Sequence, residues 1–129
     1  MPTCNVCFRK CTIPEGATGF CGARVCRDGT VSAGNYGRLT AIALDPIEKK
    51  PLRRFHPGSM ILSVGSYGCN LRCPFCQNSE ISWSPQAMRV ATQTKLCPPE
   101  ELVDIACSLE HEDNLGIAFT YNEPWVGWE

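Results

Sequence analysis

The sequence lacks a long apolar run, a strong charge of either sign and a supply of histidine. Its longest apolar stretches are short runs such as Met60 to Val64, far below the roughly 18 apolar residues that span a membrane. Twelve basic and thirteen acidic side chains leave a formal net charge of -1, which does not favour nucleic-acid binding. With only two histidines and no P-loop string, neither a Ser/His/Asp triad nor a phosphate cradle can be assembled. We therefore expect no membrane partner and no nucleic-acid partner.

Cysteine, by contrast, is abundant. Ten of the 129 residues are cysteine, a density that would indicate a disulfide scaffold in a short secreted chain. The N-terminus MPTCNVCFRK has no apolar segment of the kind a signal peptide needs. We therefore expect a cytoplasmic protein, in which thiols stay reduced and are available to metals.

Three cysteines near the middle, Cys69, Cys73 and Cys76, lie in the run SYGCNLRCPFCQN. Their spacing, C-x3-C-x2-C, brings three thiolates close together, and thiolates favour iron–sulfur clusters or zinc. An ordinary four-iron cluster takes four cysteines, so three would leave one iron open to another ligand. The alternatives are a zinc site, in which C-x2-C pairs are common, and cysteines packed as small hydrophobic residues.

A second group of cysteines, spaced C-x2-C-x3-C-x9-C near the N-terminus, consists of Cys4, Cys7, Cys11 and Cys21. Four thiolates suffice for a closed tetrahedral zinc site or for a second cluster. A small segment with little apolar core also benefits from a metal staple. Free, reduced thiols are the alternative.

The remaining cysteines fall outside both patterns, and we expect no ligand role for Cys26, Cys97 or Cys107. Cys107 lies in a predicted helix beside its apolar stripe, so ordinary packing is the favoured account of it.

Residues 1–58 form a cysteine-rich N-terminal segment with many glycines and prolines. Its strand-like pieces are short, such as Thr30 to Asn35 and Leu39 to Leu44, which predicts a small unit of β-strands and loops. The cationic pairs Lys49-Lys50 and Arg53-Arg54 lie in the proline-punctuated run DPIEKKPLRRFHPG. A solvated surface is the expected state of that run.

Residues 59–129 predict α/β structure. The apolar run from Met60 to Val64 reads as a buried strand that delivers the central cysteines at its carboxyl end. Pro98 and Pro99 followed by two glutamates indicate a helix N-terminus, and the stripe of that helix is Leu102, Ile105, Ala106 and Leu109. A second strand is predicted from Leu115 to Tyr121, which completes one βαβ unit with parallel strands.

The second strand ends in FTYNEPW. Ligands in parallel α/β proteins gather beyond the carboxyl ends of strands, so this string and the central cysteines should face the same cavity. The alternative is that Asn122, Glu123 and Pro124 form only a turn, since asparagine and proline favour turns.

Four strings occur in order along the chain: CNVCFRKCTIPEGATGFCGAR, DPIEKKPL, GCNLRCPFCQNSEIS and FTYNEP. Together they resemble the radical S-adenosylmethionine (SAM) superfamily, and within it the AmmeMemoRadiSam-system radical SAM proteins, which are relatives of pyruvate formate-lyase activating enzymes. The resemblance covers only the N-terminal part of such proteins. It implies the start of a partial (β/α) barrel, truncated after about two strands and preceded by the cysteine-rich segment. It also leaves open that the DPIEKKPL string lies near the site.

The resemblance implies an enzyme in which Cys69, Cys73 and Cys76 hold a 4Fe–4S cluster that cleaves SAM reductively to a 5′-deoxyadenosyl radical. Phe75 would lie beside the adenine of SAM, and Asn122 and Glu123 near its ammonium group. Reduced flavodoxin or ferredoxin would supply the electron, and a protein or a small molecule would be the substrate. The alternatives are a non-catalytic zinc or iron–sulfur module and an inactive fragment.

Overall fold

The chain forms a three-stranded sheet with a helix packed on one face and two small two-stranded sheets beside it. The computed structural model describes the backbone of residues 1–129 and every side chain except that of Thr92. The strands are β1 (Arg24–Arg27), β2 (Thr30–Ala33), β3 (Arg38–Leu39), β4 (Ala41–Pro46), β5 (Met60–Gly65), β6 (Lys95–Leu96) and β7 (Asn114–Phe119). The α-helices are α1 (Ser79–Ser82), α2 (Pro85–Val90) and α3 (Pro99–Ser108). Single 3-10 turns lie at Ile47–Lys49, Ala91–Gln93, Glu110–Glu112 and Pro124–Gly127.

The central sheet has the strand order β4–β5–β7. β4 runs antiparallel to β5, with Ala41 opposite Gly65, and β7 runs parallel to β5, with Leu62 opposite Ile117. Parallel neighbours need a crossover connection, and α3 lies in the connection between β5 and β7. The predicted βαβ unit is therefore confirmed.

One face of β5 forms the core with α3. Leu62 and Val64 are 2% and 1% exposed and pack against Leu102 of the helix and against Cys97. Side chains of a strand alternate between its two faces, so the buried Ser63 points to the opposite side of the sheet. Burial of each aliphatic side chain in this layer contributes about 1.5–3 kcal/mol.

The helix signals in the sequence are confirmed in α3. Pro99 is the first helical residue, and Glu100 and Glu101 lie in the first turn, where carboxylates meet the positive end of the helix dipole. The predicted apolar stripe faces the sheet, because Ile105 and Leu109 pack half-buried against the core.

The N-terminal residues form loops around the β1–β2 hairpin. Asp28 and Gly29 make the two-residue turn of that hairpin, both with positive φ, as Asp-Gly hairpin turns require. The Glu15 carboxylate accepts hydrogen bonds from both turn amides, at 2.7 and 3.0 Å, and these bonds lower its pKa. A small core of Cys4, Ile13 and Cys26 lies beneath the hairpin.

Two details differ from the sequence prediction. The strand expected from Leu39 to Leu44 is divided at Thr40 into β3 and β4, because β3 pairs with β6 while β4 pairs with β5. β4 therefore joins the central sheet, although it comes from the cysteine-rich half of the sequence. The α/β class is confirmed, and the strands of the described residues form an open sheet.

α3 is the longest helix, with 10 residues. Among the residues that the structure describes, no helix combines the length and the apolar character that crossing a membrane requires.

Candidate functional site

The three central cysteines lie in a loop that leaves β5 at Gly65 and ends where α1 begins. This segment, residues 66–78, is called the triad loop below. Cys69 is buried, whereas Cys73 and Cys76 are half-buried, and the amide of Cys76 donates a 3.1 Å hydrogen bond to the carbonyl of Cys73. The loop thus turns tightly between its second and third thiols.

Gly68 sets the entry of the triad loop. It adopts a φ of +90°, and a Cβ at this position would overlap the Cβ of Ala23. Only glycine combines this conformation with so close an approach at no steric cost. The loop is therefore pressed against the chain segment that follows Cys21.

The N-terminal cysteine segment supports the triad loop through direct hydrogen bonds. The amide of Cys69 donates to the carbonyl of Cys21 at 3.0 Å, and Arg9 Nε donates to the carbonyl of Asn70 at 3.0 Å. Arg72, from within the loop, donates in return to the carbonyl of Phe20. The two cysteine groups are therefore adjacent in the fold, although they are far apart in sequence.

An aromatic ring joins the two segments as well. The Phe20 ring lies between two guanidinium groups, with Arg9 Cζ 3.4 Å and Arg72 Cζ 4.0 Å from its centroid. Cation–π contacts of this type contribute about 0.5–2 kcal/mol each. They hold two like charges in place beside the triad loop.

The string after β7 also reaches the triad loop, as the sequence predicts. Asn122 accepts a 3.1 Å hydrogen bond from the amide of Ser66 through Oδ1, and its Nδ2 donates to the carbonyl of Gly68 at 2.8 Å. Glu123 accepts from the amide of Trp125 at 3.1 Å and so caps the last 3-10 turn. Asn122 therefore acts as a clamp between the ends of the two parallel strands.

The same C-terminal turn contacts the N-terminal segment. The indole Nε1 of Trp125 donates to the carbonyl of Val6 at 2.6 Å, and the Trp125 ring stacks on Trp128 with centroids 5.0 Å apart. Val126 is buried against Cys21 and Ala23. The triad loop, the N-terminal segment and the turn after β7 thus form one contiguous unit.

A polar cavity of ≈520 Å³ opens on the face of the sheet opposite α3. It is lined by Asp45, Lys49, Lys50, Pro51, Gln77, Asn78, Thr120 and Tyr121. Gln77 and Asn78 directly follow Cys76, while Thr120 and Tyr121 follow β7. The end of the triad loop and the string after β7 therefore border one cavity, but its lining includes none of the three central cysteines and neither Asn122 nor Glu123. The DPIEKKPL string forms its third wall.

Asp45 organises that wall. Its side chain is 7% exposed and accepts from Lys49 at 2.8 Å, Lys50 at 3.2 Å and the Tyr121 hydroxyl at 3.1 Å. The hydrogen bond from Lys49 is the main cause that lowers the pKa of Asp45, and burial opposes it. Burial, with the bond to Asp45, raises the pKa of Tyr121. Two lysines around one carboxylate leave the cavity with one net positive charge.

The sequence predicts a solvated surface for the whole run DPIEKKPLRRFHPG, which includes this wall. The expectation is correct for Arg53 and Arg54, which are exposed. It is wrong for Asp45, which is buried. Tyr121 was not singled out from the sequence, because it is 76 residues away from the carboxylate that it contacts.

Phe75 lies at the surface of the triad loop, 85% exposed. An exposed ring beside two half-buried thiols is available to a planar ligand, and in the structure it contributes little to the apolar core. Its predicted contact with adenine stays a prediction.

The donor chemistry of the triad loop fits a metal cluster, since it offers three soft thiols on one loop. Within the part of the chain that the structure describes, no three His, Cys, Asp or Glu side chains lie close enough to hold a metal ion as they stand. Binding at Cys69, Cys73 and Cys76 would therefore require their side chains to rotate towards one another.

The N-terminal cysteines are also brought together. One small cavity is lined by all four of them, Cys4, Cys7, Cys11 and Cys21. Cys4 and Cys21 are buried, while Cys7 and Cys11 are half-buried. This cavity is separate from the polar cavity and lies behind the triad loop.

The other cysteines divide by burial. Cys26 and Cys97 are buried in apolar clusters, and burial raises the pKa of each thiol. Cys107 is exposed, so the expectation that it packs into the core is wrong.

Fold and site define a mixed α/β protein in which two cysteine-bearing loops pack against each other beside a polar cavity. The chain is similar to an uncharacterized protein of Methanocaldococcus jannaschii, with 41% identity over 127 residues. The alignment covers 98% of this chain and 36% of that protein, so the chain spans about a third of its relative's length. No family model matches the chain, and no solved structure matches it.

Proposed function

We propose that this chain is the N-terminal part of a radical SAM enzyme of the glycyl-radical-activating type. The observation that carries the proposal is the position of the triad loop. Three thiols follow one parallel strand, the Asn-Glu-Pro string follows its neighbour, and Asn122 joins the two through Ser66 and Gly68. The carboxyl ends of parallel strands are where α/β enzymes bind their ligands.

The residues of this chain would divide the work between them. Cys69, Cys73 and Cys76 would ligate a 4Fe–4S cluster, which supplies the electron that cleaves SAM to methionine and a 5′-deoxyadenosyl radical. Glu123 would accept from the ammonium group of SAM through the carboxylate oxygen that does not cap Trp125. Phe75 would cover the adenine from the solvent side.

The polar cavity suits a substrate in this scheme. It borders the end of the triad loop at Gln77 and Asn78, and Lys49 and Lys50 give it a net positive charge. The β5–α3–β7 unit would be the start of a partial (β/α) barrel, and further strands would enclose the cavity. Reduced flavodoxin or ferredoxin would be the electron donor, a protein or a small molecule the substrate, and the cytoplasm the location.

Anaerobic reconstitution with iron and sulfide tests the cluster. We expect a brown chain with about four iron and four sulfide per molecule, and loss of the colour in Cys73→Ala. Cys107→Ala is the matched control, because Cys107 is an exposed thiol outside the triad loop. A chromophore of undiminished intensity in Cys73→Ala would overturn the assignment.

Formation of 5′-deoxyadenosine under a strong reductant tests the chemistry. The measurement should compare this chain with a longer polypeptide, in which the remaining part of a full-length relative is joined after Glu129. Turnover only in the longer form would indicate that this part holds the cluster without completing the site.

A non-catalytic metal-binding module is the second candidate, favoured by the cavity that the four N-terminal cysteines line. Zinc without iron or sulfide in anaerobically purified chain, and no colour on reconstitution, would support it against the enzyme.

A further inference from the structure

We propose that Cys4, Cys7, Cys11 and Cys21 form a second metal site, which takes a single zinc ion and supports the triad loop from behind. The proposal does not depend on the chemistry of the triad loop. It rests on the position of the four cysteines around one cavity, on the size of that cavity, and on the groups that surround their sulfur atoms.

The cavity is small. Its volume is ≈10 Å³, about the space that one water-sized particle needs. One ion with four thiolates around it is the usual closed zinc site. Four thiols around so small a space favour a single ion over a second cluster.

Backbone amides already point at the sulfur atoms. Cys21 Sγ accepts from the amides of Ala23 at 3.4 Å and Arg24 at 3.5 Å, and Cys11 Sγ accepts from the amide of Phe20 at 3.5 Å. Hydrogen bonds to metal ligands fix their orientation. A cysteine that only fills space in a core has no need of such donors.

Two arginines, Arg9 and Arg24, line the same cavity. Zinc with four thiolates carries two negative charges. Arg9 would offset part of them, whereas the charge of Arg24 is already paired with Glu129. Arg24 is 6% exposed, and its Nε is buried without a hydrogen-bond partner among the described residues. The rest of the guanidinium group is paired, with the Glu129 carboxylate 2.6 Å from Nη1 and the carbonyl of Val31 3.2 Å from Nη2. A buried donor without a partner is costly, and a thiolate in the cavity would give Nε one.

The site must close for the ion to bind, because the side chains are not within ligating distance as they stand. A change of χ1 rotamer moves a cysteine sulfur by up to about 3 Å, and the cavity lies between all four. Zinc binding would deprotonate the thiols and release their protons to the solvent. The N-terminal segment has a core of only a few residues. Closure around zinc would give this segment the cross-link that small folds use in place of a larger core.

Zinc bound at the four N-terminal cysteines would also stabilise the triad loop. Cys21 would hold zinc with its side chain while its carbonyl accepts from the amide of Cys69. Its neighbour Phe20 is held by Arg9 and Arg72. The ion would thus fix the surface on which Cys69 and Gly68 rest.

Zinc content of the purified chain is the first test. We expect about one zinc per chain, retained through dialysis, in the wild type and in Cys73→Ala alike. Zinc well below one per chain, or zinc that disappears in Cys73→Ala but persists in Cys7→Ser, would overturn the proposal. Loss of iron from Cys73→Ala concerns the triad loop alone, so the two assignments fail separately.

The ligand variants use Cys7, because it is half-buried and its replacement disturbs the core least. We expect Cys7→Ser to weaken zinc binding more than ~100-fold, since even the partners of zinc ligands contribute ~10–100-fold. Cys7→His should restore most of the affinity, because histidine also ligates zinc. The control is Cys107→Ala, which removes an exposed thiol away from the cavity.

If Cys7→Ser fails to fold, Co²⁺ titration of the metal-free Cys73→Ala chain replaces it. The intense charge-transfer and visible bands of tetrahedral cobalt thiolate at one equivalent would support the site. Weak bands typical of six-coordinate cobalt would overturn it, as would a folded Cys7→Ser chain that binds zinc as tightly as the wild type.

Discussion

The backbone amide of Cys69 donates a 3.0 Å hydrogen bond to the backbone carbonyl of Cys21. The first residue belongs to the triad loop and the second to the N-terminal cysteines, so this bond joins the two cysteine groups of the chain. Because backbone atoms form it, substitution of either side chain leaves it available. The geometry of the triad loop depends on the N-terminal segment whatever each group binds.

Gly68→Ala is expected to displace the triad loop. The added methyl would overlap Ala23, and an alanine at positive φ adds about 1–2 kcal/mol of strain. We expect a lower thermal midpoint and less iron bound on reconstitution.

Gly58→Ala is the matched control for that variant, because Gly58 also has a positive φ, of +84°, but has open space around it. Gly58→Ala should lower the thermal midpoint through backbone strain, without reducing the iron bound on reconstitution. Equal iron content in Gly68→Ala and wild type would contradict a supporting role for the contact with Ala23.

Asn122→Ala should separate the ends of β5 and β7. It leaves the amide of Ser66 and the carbonyl of Gly68 without their side-chain partner, which costs about 1–3 kcal/mol. Chemical denaturation measures the change in the free energy of unfolding.

Asn122→Asp tests the direction of the bonds, since it keeps the acceptor for Ser66 but loses the donor for Gly68. It should be less stable than wild type, and Asn5→Ala, at an exposed position, should be unchanged. An Asn122→Ala chain as stable as the wild type would show that the clamp is dispensable.

Asp45→Asn should destabilise the fold by about 1.5–3 kcal/mol, the range for hydrogen bonds to charged groups. The pKa of Asp45 lies below its ordinary value of 3.8, chiefly because Lys49 donates to it. A carboxyl whose pKa is lowered in the folded state stabilises the protein fully above its unfolded pKa and loses that contribution as the pH falls through the folded value.

The stability difference between wild type and Asp45→Asn should therefore stay constant near neutral pH and shrink below about pH 4. Denaturation curves across the acid range measure it. Asp104→Asn, on the exposed side of α3, is the control. A difference that grows as the pH falls would contradict the network.

Leu102→Ala should cost about 2–5 kcal/mol, because it opens a cavity where the helix meets Leu62 and Val64. Val103→Ala, one residue further along α3 and 52% exposed, should change the free energy of unfolding by less than about 0.5 kcal/mol. Similar losses in the two variants would contradict the assignment of the buried face.

The elements that the sequence predicted are those with local signals. β5 is a short apolar run, and α3 has prolines and glutamates at its start and an apolar stripe, so neighbouring residues carry the information. Cys107 was expected to pack because it is next to that stripe in sequence. It is five residues after Leu102, which is about 140° around the helix, and therefore points away from the sheet.

The features that the sequence did not predict all depend on distant partners. The buried state of Asp45 requires Tyr121, and the support of the triad loop requires Cys21 and Phe20. No periodicity or spacing reports such pairs, since they form only when the sheet brings separate segments together. The spacing of the N-terminal cysteines predicted a group, but its position behind Cys69 follows from the tertiary fold alone.

The bond from Trp125 to Val6 has a consequence for the order in which the chain folds. Its two residues are 119 positions apart, and Arg24 reaches the carbonyl of Trp128 across 104. Contacts of such long separation form late, because a long loop must close before they stabilise anything. During synthesis, the contacts that join the N-terminal segment to the turn after β7 therefore form only when nearly all of these residues have emerged.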